Sequence, residues 1–345
     1  YILELMYSHG KKFYNLFGYW LTGTLILVFT TIIVGGLTRL TDSGLSITEW
    51  ELFKGILPPL NDETWDIYFS LYKEIPQYKI LNPNMSLQEF KVIFYWEYFH
   101  RIFARVIGLF FILPLIYFYI TKKINKKYLV SCLVIFLLIL LQGLIGWLMV
   151  KSGLVDNVSV SHYKLSLHLF LAMIIISAIF WLILNVKNKK NKNFFDISKK
   201  TFPFFFLFIL ILIQIVLGAF VSGLDAGRIY QTWPLMGTSY VPDDITFLFS
   251  NLIDFNTHSL VQFYHRNLAY VITLYILFLC LFIFLKKIKK LYLPMLIIIL
   301  LTSLQISLGI LTLISDINIY LASTHQITSA LLVLTVINLY YSRLN

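Results

Sequence analysis

The sequence predicts an all-α integral membrane protein with eight transmembrane helices, arranged as two parallel-repeat four-helix bundles. Three observations lead to this fold class. The composition is 59% hydrophobic and only 13% charged, whereas an ordinary soluble domain is about 25% charged. Eight apolar runs are long enough to cross a bilayer, which takes about 20 residues. Finally, motifs of the first half recur in the second. The two-residue alternation of a membrane β-barrel is absent, so helices are the predicted way to satisfy the backbone in lipid.

The eight predicted spans follow directly from the apolar runs. The spans lie at about 16–38, 96–120, 128–150, 164–186, 202–222, 260–285, 291–314 and 320–341.

The connecting loops alternate between a lysine-rich kind and a kind that carries the acidic residues. The lysine-rich side, with both termini, holds 17 Lys and Arg against 2 Asp and Glu, while the other side holds 11 against 15. Because positively charged loops stay in the cytoplasm, both termini are predicted to be cytoplasmic. The net charge of +11 therefore indicates orientation rather than a nucleic-acid partner. We predict the bacterial inner (cytoplasmic) membrane, in preference to the mitochondrial inner membrane. Cys132 and Cys280 lie inside apolar runs and indicate neither a disulfide framework nor a zinc site.

Four motifs recur between the halves. Each half contains four spans, an even number, so both halves have the same orientation and form a parallel repeat about an axis along the membrane normal. We therefore predict an N-terminal bundle at residues 1–190 and a C-terminal bundle at residues 191–345. The matched motifs are Gly35–Gly44 with Gly218–Gly227, His100-Arg101 with His265-Arg266, Gln142-xxx-Gly146 with Gln305-xxx-Gly309, and Tyr163-xxxx-His168 with Tyr320-xxxx-His325.

Four of the seven histidines lie at matched positions, just after an outer loop. His100 and His168 form one predicted pair, and His265 and His325 form the other. Two imidazoles that face each other across a helical bundle are what bis-histidine haem ligation requires. The alternative is that these histidines only hydrogen-bond to neighbouring helices. Recurrence of the pair in both halves favours haem, and a closed zinc site would need four ligands.

Arginines and small residues accompany the histidines. Arg101, Arg105 and Arg266 are candidates for contacts with haem propionates, since guanidinium groups hold carboxylates bidentately; the alternative is that they extend to lipid headgroups. Glycines inside the spans indicate close helix approach, or room for a flat macrocycle. Gln142 and Gln305 are predicted to form helix–helix hydrogen bonds.

One acidic residue distinguishes the two halves. Glu97 lies about one helical turn before His100, whereas the second half has Gln262 at the equivalent position. A carboxylate beside a porphyrin can accept a proton or stabilise a developing cation, and an amide cannot. The alternative is an ordinary interfacial carboxylate paired with Arg101 or Lys91. The presence of a carboxylate in one repeat and an amide at the matched position of the other favours catalysis in the N-terminal half, with Glu97 as the candidate catalytic residue.

Taken together, these motifs resemble those of the haem A synthase family, and more narrowly its branch from mitochondria and related bacteria. The resemblance extends from about residue 18 to 341, and the cysteine pair of another branch is missing. It is carried by Gly-Gly-Leu-Thr-Arg-Leu-Thr-Asp-Ser-Gly-Leu-Ser (35–46), Trp-Glu-Tyr-Phe-His-Arg (96–101), Gly-Leu-Asp-Ala-Gly (223–227), Gln-Phe-Tyr-His-Arg (262–266) and Thr-His-Gln (324–326).

The resemblance implies a reaction and its cofactor. The expected activity is oxidation of the C8 methyl group of haem O to a formyl group, which gives haem A for cytochrome oxidase. The resemblance implies that His100 and His168 hold the substrate haem, with Glu97 at the catalytic position. It also implies that His265 and His325 hold a haem b, whose iron passes electrons. Expected partners are haem O synthase, cytochrome oxidase assembly factors, an electron donor and membrane lipid; a second copy of the chain is a further candidate.

Three other functions share parts of this pattern. A di-haem cytochrome b that moves electrons from a quinol has the same histidines but makes no haem product. A transporter built on a parallel repeat predicts substrate-binding groups near the bilayer midplane, whereas the ionisable residues here lie at the outer rim. A prenyltransferase that makes haem O would need several aspartate-rich motifs on one face for Mg²⁺ and diphosphate, whereas the sequence contains a single DxxxD, Asp62–Asp66, in a loop between predicted spans.

Overall fold

The computed structural model describes residues 2–50, 54–155, 157–246 and 248–344, with side chains from Asn15 onward. In these residues the regular structure is helical, apart from an isolated bridge between Met236 and Ser239. Eight of the helices are long and apolar enough to cross a membrane. The predicted all-helical membrane protein with eight spans is therefore confirmed.

The helices are numbered here in chain order. Seven spans are whole helices or nearly so, and the first span begins at Asn15 within a longer helix. The helices are α1 (Ile2–Leu40), α2 (Asp62–Glu74), α3 (Pro76–Leu81), α4 (Leu87–Ile120), α5 (Lys126–Lys151), α6 (His162–Lys187), α7 (Phe202–Gly223), α8 (Phe249–Leu252), α9 (His258–Leu285), α10 (Tyr292–Ile314) and α11 (Ile319–Arg343).

The loop between the first two spans contains two short helices that were not predicted from the sequence. They are α2 and α3, and α4 begins at Leu87 rather than near residue 96. Side-chain caps fix the starts of α2 and α4. At α2, Asn61 accepts a hydrogen bond from the backbone of Thr64, and at α4, Ser86 and Glu89 form a reciprocal capping box. Such caps satisfy backbone N–H groups that lack a partner within the helix.

A cluster of aromatic side chains joins this loop to the start of α4. Trp65 and Phe69 from α2 pack against Phe90 and Phe94 from α4, and Ile47 belongs to the same buried cluster. Burying large aromatic side chains is a major source of stability. The cluster therefore holds the segment around Ile47 against the helix that carries His100.

The eight spans contact one another in two matching rings. In the first ring, α1 contacts α4 and α6, and α5 contacts α4 and α6; in the second, α7 contacts α9 and α11, and α10 contacts α9 and α11. The rings meet where α6 packs against α7 and α11, and where α1 packs against α11. These contacts are those that two four-helix bundles would make. The parallel-repeat arrangement and the division of the chain near residue 190 stay predictions.

A single apolar core runs through both rings. It includes Phe17 on α1, Ile176 on α6, Leu207 on α7 and Val336 on α11, all of them fully or almost fully buried. Its lysine-rich end contains a group of aromatic rings around Phe194. Because the core is continuous, the two rings of helices are packed as one unit, and a shift at their interface would displace side chains in both.

Candidate functional site

The four matched histidines each lie against a glycine of a neighbouring helix. A Cβ atom added to Gly35 would lie 2.6 Å from Cε1 of His100, and one added to Gly146 would lie 2.9 Å from Cε1 of His168. The same construction at Gly218 and Gly309 gives 3.0 Å to His265 and His325 respectively. These distances are shorter than ordinary van der Waals contact, so no side chain larger than hydrogen fits without movement. The glycines thus provide the space in which the imidazole rings lie.

Glutamine side chains hold the backbone beside three of these histidines. Gln142 donates to the main-chain oxygen of His168 at 3.0 Å, Gln214 to that of His265 at 2.9 Å, and Gln305 to that of His325 at 3.0 Å. Each glutamine lies four residues before the glycine that receives the ring. The helix–helix hydrogen bonds predicted for Gln142 and Gln305 are therefore confirmed. Gln214 was missed because Thr31 stands at its repeat position.

The second pair of imidazoles has the separation that a shared metal ion requires. The ring centres of His265 and His325 are 6.5 Å apart, and their planes are at 77°. A metal–imidazole bond is about 2 Å long and the ring centre lies about 1 Å behind the nitrogen, so two opposed rings on one metal have centres about 6 Å apart. The geometry of the second pair therefore fits a bis-histidine haem.

The histidine pairs leave ligand positions to be filled by a bound group. Ring nitrogen Nδ1 of His100, His168 and His325 is buried without a hydrogen-bond partner. Among the described residues, no group of three or more His, Cys, Asp or Glu side chains could hold a metal ion. A pair of imidazoles supplies two axial ligands, and a porphyrin supplies the other four nitrogens. The residues present therefore fit haem better than a bare metal ion.

Glu97 is buried beneath the segment that follows α1. One carboxylate oxygen accepts hydrogen bonds from Oγ of Ser46 at 2.7 Å and from the backbone N–H of Ile47 at 2.8 Å. The other accepts from Nη2 of Arg101 at 2.6 Å and from its Nε at 3.0 Å. Of the two pairings left open by the sequence, the structure shows the one with Arg101. Lys91 instead lies over the ring of Trp65.

Arg101 also connects the segment 46–50, which follows α1, to α4. It donates to the main-chain oxygens of Ile47 at 2.8 Å and Glu49 at 3.3 Å, and it lies 5.7 Å from the ring centre of Trp50. Arg101 and Arg105 line the same small depression. Their proposed contact with propionates stays a prediction.

The second half uses the matched residues in the same way but without the carboxylate. Gln262 is buried and donates to the main-chain oxygen of Tyr230 at 3.0 Å. Arg266 donates to the same oxygen at 2.8 Å and to that of Thr232 at 2.9 Å. No acidic side chain pairs with Arg266 among the described residues. The guanidinium is thus neutralised by Glu97 in the first half and remains a net positive group in the second.

Comparison with known proteins gives a match over nearly the whole chain. The family model described as "Cytochrome oxidase assembly protein" (COX15-CtaA) matches residues 18–337. The chain belongs to the haem A synthase family. The protein named heme A synthase from Pelagibacter ubique (strain HTCC1062) is 46% identical over 346 residues, which covers 99% of this chain and 100% of that protein. Those from Parvibaculum lavamentivorans and the Wolbachia of Brugia malayi are 44% and 41% identical, over 74% and 91% of this chain and 74% and 92% of their own lengths.

In this member of the haem A synthase family, two contacts connect the halves close to the histidines. Arg39, at the end of α1, bonds to Asp42 at 2.7 Å and to its repeat equivalent Asp225 at 2.9 Å. It also donates to the main-chain oxygen of Ser222 at 2.6 Å. Deeper in the membrane, the side chain of Gln326 fills the space in front of Gly36. These contacts join α1 to the second half at two depths.

Two other histidines, His162 and His258, lie apart from the four. His162 packs against Gly223 and lies 4.1 Å from the ring of Tyr163, and His258 is exposed at the start of α9. His9 lies outside the described side chains. The sequence analysis did not single out Ser46 or Gln326 as functional. Their signal was nevertheless present, because both residues fall inside the motifs that carry the family resemblance.

Proposed function

We propose that the protein is a haem A synthase that oxidises the C8 methyl group of haem O to a formyl group, giving haem A for cytochrome oxidase. Family membership and the close relatives named heme A synthase support this assignment. The single observation that carries it further is the carboxylate found beside only one of two similarly built histidine pairs. Glu97 and Gln262 occupy matched positions, and only the first can exchange a proton.

In this proposal the N-terminal bundle binds the substrate. His100 and His168 hold the haem iron from opposite sides, and the glycines behind them keep both rings in place. The porphyrin would then lie between α4 and α6, with its charged propionates toward the outer face and Arg105. The apolar tail of haem O would extend between the helices toward lipid, where its burial is favourable.

Glu97 and Arg101 would act as the proton-handling pair. Conversion of a methyl to a formyl group replaces two C–H bonds by a C=O bond. It is a four-electron oxidation that takes its oxygen atom from water or dioxygen, with electrons relayed through the haem b proposed for the C-terminal bundle. A carboxylate close to the reacting carbon would accept the proton of a broken C–H bond. A positioned carboxylate typically contributes a factor of about 10² to 10⁴ as a general base. Arg101 would stabilise the carboxylate between turnovers and keep it oriented through its second oxygen. Ser46 and the Ile47 amide would hold the first oxygen.

The C-terminal bundle would hold the resident cofactor. Haem b, when bound between His265 and His325, supplies one-electron oxidation and reduction. Gln214 and Gln305 fix the helix backbones that present these rings. Arg266 has no acidic partner among the described residues, so it is available to a propionate as well as to the backbone oxygens it already contacts.

The eight apolar helices indicate a multi-pass membrane protein. We propose that it resides in the bacterial inner membrane with both termini in the cytoplasm, because the lysine-rich loops lie on the side of the termini. It would receive haem O from haem O synthase and deliver haem A to cytochrome oxidase assembly. Reporter enzymes fused to each end of the chain test the orientation: activity of an outward-facing reporter at either end would contradict it.

Replacement of Glu97 by Gln tests the catalytic assignment. Glutamine keeps the size of the glutamate side chain and one acceptor oxygen, so we expect folded protein with unchanged haem content. Haem A formation should fall at least about 100-fold, as measured by pigment extraction from cells supplied with haem O. Glu89→Gln is the control, because Glu89 is exposed on the same helix and glutamine preserves its capping box with Ser86; it should leave activity unchanged. Haem A at the wild-type level in Glu97→Gln would refute the catalytic role.

The alternative is a di-haem cytochrome b that only transfers electrons. It is favoured by one observation, the similar glycine support of all four histidines, which suggests two equivalent cofactor sites. Extracted pigment separates the two functions, since a cytochrome would contain haem b alone. His265→Ala or His325→Ala should remove the low-spin haem b signal but leave haem O bound. An unchanged low-spin spectrum would contradict the ligand assignment.

A further inference from the structure

A cleft on the lysine-rich face lies far from the four histidines. Its volume is about 430 Å³, and it opens between the ends of α6 and α11, where the two rings of helices meet. Four lysines line it: Lys187, Lys190, Lys192 and Lys290. None of the four pairs with an acidic side chain within the part of the chain that the structure describes. The cleft therefore concentrates positive charge without internal neutralisation.

One of these lysines is fixed in place. The ammonium group of Lys192 donates to the main-chain oxygens of Tyr341 and Leu344 and lies 4.4 Å from the ring centre of Tyr341. Burial lowers the pKa of Lys192, and the neighbouring ammonium groups of Lys190 and Lys290 lower it further. Three positive groups are thus held close enough to repel one another, a cost that a bound anion would remove.

The rim of the cleft adds neutral polar groups. Asn188, Asn338 and Ser342 line it together with the lysines. Asn338 and Ser342 lie on the last turns of α11, and Asn188 follows the end of α6. Hydroxyl and amide groups beside ammonium groups are the usual ligands of phosphate oxygens. Because both helices end here, the cleft lies at the depth of lipid headgroups.

We propose that this cleft binds a phosphate-bearing anion at the interface between the two halves of the protein. Basic pockets between transmembrane helices on the cytoplasmic side are typical sites for anionic lipid headgroups. The same chemistry would accept free phosphate. A lipid with two phosphates could contact Lys187 from the first half and Lys192 and Lys290 from the second, and so join the halves on the face opposite Arg39.

The test uses the full chain in neutral detergent, titrated separately with diphosphatidylglycerol and with inorganic phosphate. Each lysine near a headgroup is worth about fivefold in affinity, so Lys190→Gln/Lys290→Gln should weaken binding about 25-fold. The matched control is Lys199→Gln/Lys200→Gln, which removes two exposed lysines from the same loop region outside the cleft and should change affinity less than twofold. Lys290→Gln alone should weaken binding about fivefold.

The two titrations identify the source of the anion. Lysine-dependent binding of the lipid alone indicates a headgroup site, and the same dependence for inorganic phosphate indicates a free-anion site; either result supports the proposal. The proposal is overturned if neither ligand binds, or if both double variants weaken binding equally, because general surface charge would then explain the effect. Thermal unfolding of each variant checks that it remains folded.

Discussion

The glycine beside His168 allows a sharp test of how the histidines are held. A Cβ at Gly146 would lie 2.9 Å from the His168 ring, and ordinary contact begins at 3.4 Å, so in Gly146→Ala the ring must retreat by at least 0.5 Å (3.4 − 2.9). Metal–ligand distances tolerate only about 0.2 Å. Changes in the support of a ligand typically weaken binding about 10- to 100-fold, and we expect a loss of haem O affinity in that range.

The same helix supplies the control. Gly143 lies one turn earlier on α5, and a Cβ there meets nothing within 4 Å. Gly143→Ala should therefore leave haem binding unchanged and stabilise the helix by up to about 1 kcal/mol. Haem content is measured by pigment extraction, with the low-spin signal of the other histidine pair as an internal reference. Equal haem O and haem A content in the two variants would refute the proposed role of the glycine.

Two further predictions concern the contacts between the halves. Gly36→Ala should lower the melting temperature, because the new methyl group overlaps the side chain of Gln326. Adding Gln326→Ala to this variant should restore part of the loss. If the effects of the two substitutions simply add, the proposed contact is contradicted. Arg39→Ala should destabilise the protein by about 1 kcal/mol, since the carboxylates of Asp42 and Asp225 are largely exposed and solvent screens them. Thermal unfolding measures this loss, and Arg228→Ala on the same face is the control. An equal loss of stability in the control would show that the contacts of Arg39 between the halves add no stability.

The spans could be predicted from the sequence because apolar run length carries most of the information. Most predicted ends fall within a few residues of the helix ends. The exception is α4, which begins at Leu87. Its first turns are amphipathic and pack against the aromatic cluster of α2 and α4 rather than lipid, so hydropathy alone places the start of the span too late. The capping box of Ser86 and Glu89 was the readable signal for the earlier start.

The histidine pattern could also be predicted, because repetition reveals positions that one copy would not. What the sequence did not contain was the contact partner of each ring. Glycines within membrane helices usually mark close helix packing, and the structure shows that four of them instead face imidazoles. Gly143, a further glycine of the span that contains Gly146, faces nothing within 4 Å. Such distinctions depend on helix rotation, which periodicity in a uniformly apolar span does not define.

The role of the segment 46–50 was the least predictable part of the site. Ser46 and Ile47 are 51 and 50 residues from Glu97 in sequence, and nothing in the composition of the loop indicates that it closes over that carboxylate. The contact depends on tertiary packing of α2 and α4. Sequence reasoning identified Glu97 from its difference with Gln262, and only the fold shows which donors surround it.

Adjacent glycines on α1 have one more consequence. Gly35 supports His100, while Gly36 receives Gln326, the neighbour of His325, so two consecutive residues set the spacing between the two proposed iron centres. Electron tunnelling weakens steeply as the gap between centres widens. A one-residue insertion just before Gly35 would turn the preceding part of α1 by about 100° relative to these glycines and disturb both pockets at once. A shift in the register of this helix would therefore change both proposed haem sites together.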